Sequence, residues 1–246
     1  MNLLLLLDED FLPDGTVRLT GRRAQHAREV LRAQAGERLR VGRLGGLCGE
    51  GEVLESGPEG LHLSVTLSAP PPPRAGVTLL LAIPRPKALK KVLPAVASLG
   101  VDRLVLLNAA RVEKSYFDSK VLAPEALRDF LLQGLEQARD TVPPEVLVRE
   151  RFRPFVEDEL DALLHDTPTR LLPHPPAAEG LSALPSGAAR GARAALAVGP
   201  EGGWVPFEVE LLGRQGFRPF SLGPRILRVE VAVPLLLGQL ALLRGP

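Results

Sequence analysis

The chain has a single cysteine, Cys48, which excludes an internal disulfide and any metal site built from several thiolates. Its four histidines (26, 62, 165 and 174) fall at no metal-ligand spacing, so no bound metal is expected. Rings for base stacking are scarce, with eight Phe, one Tyr and one Trp. Lysine is scarce too. Of 30 basic residues five are Lys (87, 90, 91, 114 and 120), and the rest are Arg, whose planar fork suits phosphate and stacked bases. A formal net charge of +1 gives no global nucleic-acid signal. No long hydrophobic run exists: Val231–Leu243 is 13 residues broken by Pro234, Gly238 and Gln239, against the roughly 20 a membrane-spanning helix needs. The leucines at 3–7 lack a basic flank and stop at Asp8-Glu9-Asp10, so they do not read as a signal peptide. A cytoplasmic location is expected. Phosphate-cradling loops are missing as well. There is no Gly-x-x-x-x-Gly-Lys-Ser/Thr, and Gly49-Glu50-Gly51 lacks the third glycine of a dinucleotide fingerprint.

What the sequence does contain is concentrated near its end. The apolar run Ala194–Val198 reads as a buried strand, and Gly199-Pro200-Glu201-Gly202-Gly203-Trp204 follows it. Three glycines and a proline cannot continue a strand or start a helix, and such a turn brings bare backbone close to a ligand. About twenty residues later the design repeats. Strand-like Phe217–Leu222 leads into Gly223-Pro224 and then an apolar helix. Two glycine turns at strand ends that feed helices predict a small-molecule cleft in an α/β domain.

Four prolines, Pro70–Pro73, mark the clearest boundary. Before them, alternating apolar residues at 38–41, 51–54 and 61–67 predict a small β-barrel or sandwich, with one helix from Thr20 as N-cap to about Ala33. After them, strands are predicted at 77–83, 102–107, 146–148 and 171–172, and helices at 87–99, 124–139 and 156–164, with a Pro/Gly-rich loop over 173–187. That alternation argues for a parallel sheet. Eight arginines lie between Arg18 and Arg43 against Glu29 and Glu37, a local excess of +6 within a first 72 residues that total −2. The stripe reads either as a phosphate-tracking face or as a solvated helix face with internal ion pairs.

The two glycine turns, with Glu208, Leu222-Gly223, Ile226-Leu227-Arg228, Glu230 and Ala232, resemble the C-terminal signature of the ribosomal RNA small subunit methyltransferase E family of SPOUT methyltransferases. The resemblance extends to His26-x-x-x-Val30-Leu31-Arg32 with Gly36, to Lys87, to Leu99-Gly100-Val101 and to Glu136-Gln137-Ala138-Arg139 with Pro143. Val231 stands where the family has Thr, and Ala95 and Ser98 replace a Lys and a Glu, which marks a divergent branch.

The resemblance implies an α/β fold. Residues 1–70 would form a PUA-like RNA-binding β-barrel, and residues 74–246 a trefoil-knotted parallel sheet that makes a homodimer. It implies methyl transfer from S-adenosylmethionine to N3 of a uridine in 16S ribosomal RNA, on the small subunit. The alternatives are a non-catalytic assembly protein that kept the fold, or a methyltransferase for another base.

Loss of the N3 proton builds charge on the uracil oxygens, and Arg228 occupies the part of the signature suited to stabilise it. Glu201 or Glu230 would orient that arginine or take the proton, or Arg228 and Glu230 would form a buried ion pair. Val198, Gly199, Glu201, Gly203, Leu222, Gly223, Ile226 and Leu227 would hold the cofactor. Trp204 would either cover the sheet edge or meet the ligand. Arg22, Arg23, Arg28, Arg32 and Lys87 would contact RNA.

Overall fold

Alternating apolar and polar residues build the longest hairpin of the protein, β4 (Cys48–Gly57) against β5 (Gly60–Ala69). Its turn ends at Gly60, where a Cβ would stand 2.3 Å from the Leu19 carbonyl oxygen, so only glycine closes it. The structure, a computed structural model, describes residues 2–29, 32–180 and 192–244. It divides into two units. One is Met1–Pro73 with Leu131–Pro143, and the other is Arg74–Phe130 with Pro144–Pro246.

In the first unit β1 (Leu4–Leu6), β2 (Val17–Leu19) and β3 (Arg38–Arg43) join the hairpin in a five-stranded sheet of order β1-β3-β4-β5-β2. The β1–β3 pair is parallel and the rest are antiparallel. Leu4, Leu6, Val17, Leu19, Val41, Val53, Leu61 and Leu63 meet in its core. Helix α1 (Gly21–Glu29) adds Ala24 and Ala27. The predicted helix runs further, to Ala33. In the structure Ala33 folds back to donate its N–H to the Ala27 carbonyl at 3.1 Å, while Val30 and Leu31 lie outside the described residues.

The second unit is a six-stranded sheet of order β11-β9-β10-β6-β7-β8, parallel throughout. Its strands are β6 (Val77–Ala82), β7 (Arg103–Leu107), β8 (Glu145–Arg149), β9 (Thr169–Pro173), β10 (Ala194–Val198) and β11 (Arg218–Phe220). Every residue of β6 and β10 is buried, which is why both read as apolar runs, broken in β6 only by Thr78.

Helix α2 (Pro86–Ser98) starts with proline in its first turn and ends at Gly100, whose φ of +67° closes a Schellman cap. Helix α3 (Pro124–Ala138) ends at Arg139, which takes φ +60° where glycine is usual. The helix predicted from Val156 begins earlier, at Phe152, and passes through a π-turn at Phe155–Glu159. Helices α4 (Pro206–Arg214) and α5 (Val229–Arg244) follow β10 and β11, and α5 packs on α2. No helix among the described residues is long and apolar enough to cross a membrane. The predicted loop at 173–187 lies partly outside the described residues.

Candidate functional site

Because all six strands are parallel, their carboxyl ends share one edge. The chain steps from β6 outward to β7 and β8, then returns to place β10 on the other flank of β6. A sheet that reverses its winding order opens a crevice at the carboxyl ends beside the reversal. A cleft of about 270 Å³ lies at that edge, lined by the segments following β7, β9, β10 and β11.

All eight residues predicted to hold the cofactor line this one cleft: Val198, Gly199, Glu201, Gly203, Leu222, Gly223, Ile226 and Leu227. Gly203 and Gly223 take φ of +72° and +100°, and nothing lies within 4 Å of where their Cβ atoms would be. These turns therefore need glycine for backbone conformation, and they leave open space in front of the main chain.

Trp204 is both packed in the core and part of the cleft wall. It is 4% exposed and packs on Phe152 with ring centroids 5.7 Å apart, and it also lines the cleft. Its Nε1 has no hydrogen-bond partner among the described residues. A buried donor left unmade costs about 1–3 kcal/mol, so this position suits an incoming acceptor.

The structure separates the three residues predicted to carry chemistry. Glu201 lines the cleft, but its carboxylate accepts the Arg85 N–H at 3.0 Å and lies 3.5 Å from the Arg85 guanidinium. Glu230, with its side chain 14% exposed, sits 3.8 Å from Lys91 on α2. Arg228 immediately precedes α5, where its carbonyl accepts the N–H groups of Val231 and Ala232 at 2.9 and 2.8 Å. Its side chain is exposed, does not line the cleft and has no partner among the described residues. No Arg228–Glu230 ion pair forms, because residues two apart at a helix start point to different faces.

The arginine stripe is also divided. Arg23 forks onto Asp10 at 2.5 and 2.8 Å, and Asp10 is 5% exposed. Arg28 donates to the Gly57 carbonyl. These two tie the first unit together from within. Arg32 and, in the first turn of α2, Lys87 are exposed. The side chain of Arg22 lies outside the described part.

The sequence pointed to no role for Arg111 and His174, which line the cleft, or for Glu208 beyond its place in the signature. Arg111, four residues past β7, donates to the Gly202 carbonyl at 2.5 Å. His174, just past β9, lines the cleft with its backbone N–H held by the Phe220 carbonyl at 2.8 Å, and burial pushes its imidazole pKa down. Glu208 on α4 is 2% exposed and accepts two backbone N–H groups, Ala110 at 2.7 Å and Val205 at 2.9 Å. The spacing of Pro206 and Glu208 carried a helix-start signal, but nothing local pointed to Ala110. No cluster of three or more His, Cys, Asp or Glu suited to a metal occurs among the described residues.

Comparison with known proteins decides the family. The RNA methyltransferase domain family matches residues 71–241. A ribosomal RNA small subunit methyltransferase E of Synechocystis is 30% identical over 241 residues, 96% of this chain and 76% of that protein. The chain belongs to the methyltransferase E family. The enzyme of that name from Treponema pallidum is 35% identical over 154 residues, 63% of this chain, and the match spans 57% of that relative's length. Solved structures share the fold at lower identity. The Neisseria gonorrhoeae methyltransferase E bound to S-adenosyl methionine superposes with TM-score 0.77 at 20% identity, covering 99% of this chain and 98% of its own. A Legionella pneumophila methyltransferase with bound SAM gives 0.77 at 22%, covering 98% and 97%.

Proposed function

We propose that this protein transfers a methyl group from S-adenosylmethionine to N3 of a uridine in 16S ribosomal RNA, acting in the cytoplasm on the small subunit. The observation that carries the cofactor is the cleft itself: two glycine turns bare their backbone beside a buried indole N–H that has no partner among the described residues. The turns after β10 and β11 would hold adenosine and methionine through main-chain groups, and Val198, Leu222, Ile226 and Leu227 would add apolar contact. The sulfonium cofactor supplies an electrophilic methyl group. Burial pushes the His174 imidazole pKa down, which disfavours adding a positive charge at that part of the cleft wall.

For the acceptor, the chain must align the base in line with the methyl group and accommodate the N3 proton. In this reading Arg228 swings to the cleft mouth and stabilises the charge that develops on the uracil oxygens. Glu201 is the carboxylate nearest to hand for orienting it or taking the proton, while Glu230 remains engaged by Lys91. The first unit is read as a PUA-like RNA-binding barrel that offers Arg32 to phosphate, and the second unit separately offers Lys87. Arg22, Arg23 and Arg28 complete the proposed RNA set, the last two by shaping the surface. The second unit is read as a trefoil-knotted SPOUT domain that dimerises through α5, whose Val231, Leu235 and Leu242 are exposed although apolar.

A second reading is a non-catalytic assembly protein, or a methyltransferase for another base. It is favoured by the position of Arg228 outside the cleft and by Ala95, Ser98 and Val231. Incubating the protein with S-adenosylmethionine and small subunits from a strain lacking the enzyme separates these readings. The proposal expects one methyl group at uridine N3 by mass spectrometry. Methyl transfer elsewhere, or none despite cofactor binding, supports the second reading.

A further inference from the structure

The glycine turn after β10 does not stand alone. Glu208 lies in the third position of α4, where its Oε2 accepts the Val205 N–H at 2.9 Å and so caps the helix that leaves the turn. The other oxygen, Oε1, accepts the Ala110 N–H at 2.7 Å, from a segment 98 residues away in the chain. At 2% exposure the carboxylate has no water to fall back on, and two backbone donors at a helix N-terminus satisfy it. The next residue, Arg111, completes the connection. It donates to the Gly202 carbonyl at 2.5 Å, and its Cδ would stand 3.0 Å from a Cβ on Gly202.

We propose that Glu208 is a positioning residue of the cleft: it latches the segment after β7 to the glycine turn, so that Arg111 and the Gly202–Trp204 backbone form one preset wall. The inference rests on the cofactor reading of that cleft. Glu208 acts through others, since it does not line the cleft, whereas Arg111, Gly202, Gly203 and Trp204 all do. A carboxylate is required because both partners are donors. A glutamine of the same shape offers one acceptor and turns its NH₂ toward the second N–H, which breaks one of the two bonds. The exposed arginine then loses its fixed approach to Gly202.

The test compares Glu208→Gln, Arg111→Ala and the double variant by S-adenosylmethionine affinity, by turnover, and by amide hydrogen exchange at Ala110 and Val205 without ligand. The latch predicts that each single variant keeps its far-ultraviolet spectrum and loses at least about tenfold in affinity. It predicts that the double variant loses little more than the worse single, because the two residues act on one wall. In Glu208→Gln one of the two amides should exchange faster, and Arg111→Lys should recover part of the affinity by keeping a donor for Gly202. Additive losses, or single variants with wild-type affinity, overturn the proposal. If Glu208→Gln does not fold, Arg111→Ala and Gly202→Ala decide alone: wild-type affinity in both overturns it. If the wild-type protein binds no cofactor, the functional reading fails, while slow exchange at both amides in the wild type, lost at one in Glu208→Gln, still reports the latch. Equal exchange in the two proteins overturns it.

Discussion

Gly199 lies face to face with the indole of Trp204. A Cβ built on Gly199 would stand 3.0 Å from Nε1 and 3.1 and 3.2 Å from two ring carbons. The ring has little room to retreat, because Phe152 packs against it. Gly199→Ala is therefore expected to push the indole, cost about 1–3 kcal/mol as an overpacked site, and shift the emission of the only tryptophan. Thermal unfolding and fluorescence check this. Unchanged emission would mean that the turn yields instead.

The arginine stripe contains two kinds of residue. Arg23→Ala removes both guanidinium bonds to a buried carboxylate, which keeps the Leu7 N–H, and should lower stability by about 2 kcal/mol. Arg32→Ala and Lys87→Ala touch no described partner, so stability should hold while RNA affinity falls. Each should also reduce the slope of log affinity against log salt by about one. Fluorescence anisotropy with a ribosomal RNA fragment at several salt concentrations separates the two classes.

The imidazole of His174 has a folded pKa below its ordinary 6.5. The folded protein then binds fewer protons than the unfolded chain just below that value, so stability should decline as pH falls through 6.5. Cofactor affinity should decline over the same window, since a protonated ring would face a sulfonium. In His174→Gln both dependences should flatten. Calorimetry between pH 5 and 8 measures them.

Arg228 is assigned to chemistry, although its side chain lies in solvent beside the cleft. Arg228→Ala should slow single-turnover methylation about a hundredfold or more, with cofactor affinity unchanged. Arg228→Lys should recover only part of the rate, since an ammonium lacks the planar fork. Wild-type rates in both variants would remove the residue from the mechanism.

How far the sequence could be read depended on whether its signals were local. β6 and β10 announce themselves because burial on both faces leaves a nearly continuous apolar run. The glycine turns do so because their φ values exclude other residues. The strand Leu4–Leu6 did not, since a run of five leucines has no period to read. The partner of Arg23 was not legible for a different reason: Asp10 sits 13 residues away, and only tertiary folding brings the two together. The link between Glu208 and the Arg111 segment was hidden in the same way, because it runs through the backbone N–H of a third residue, Ala110. The grouping of Leu131–Pro143 with the first unit leaves no mark in composition.

A titration tests the proposed cofactor cleft most directly. S-adenosylmethionine should be added to the folded protein while heat and Trp204 emission are followed together. The account predicts saturable binding near the micromolar range, about −8 kcal/mol, with a matching change in emission. It predicts that Gly203→Val abolishes both, because valine does not tolerate the φ of +72° that the turn requires. No heat and no emission change in the wild-type protein, or undiminished binding in folded Gly203→Val, would contradict it.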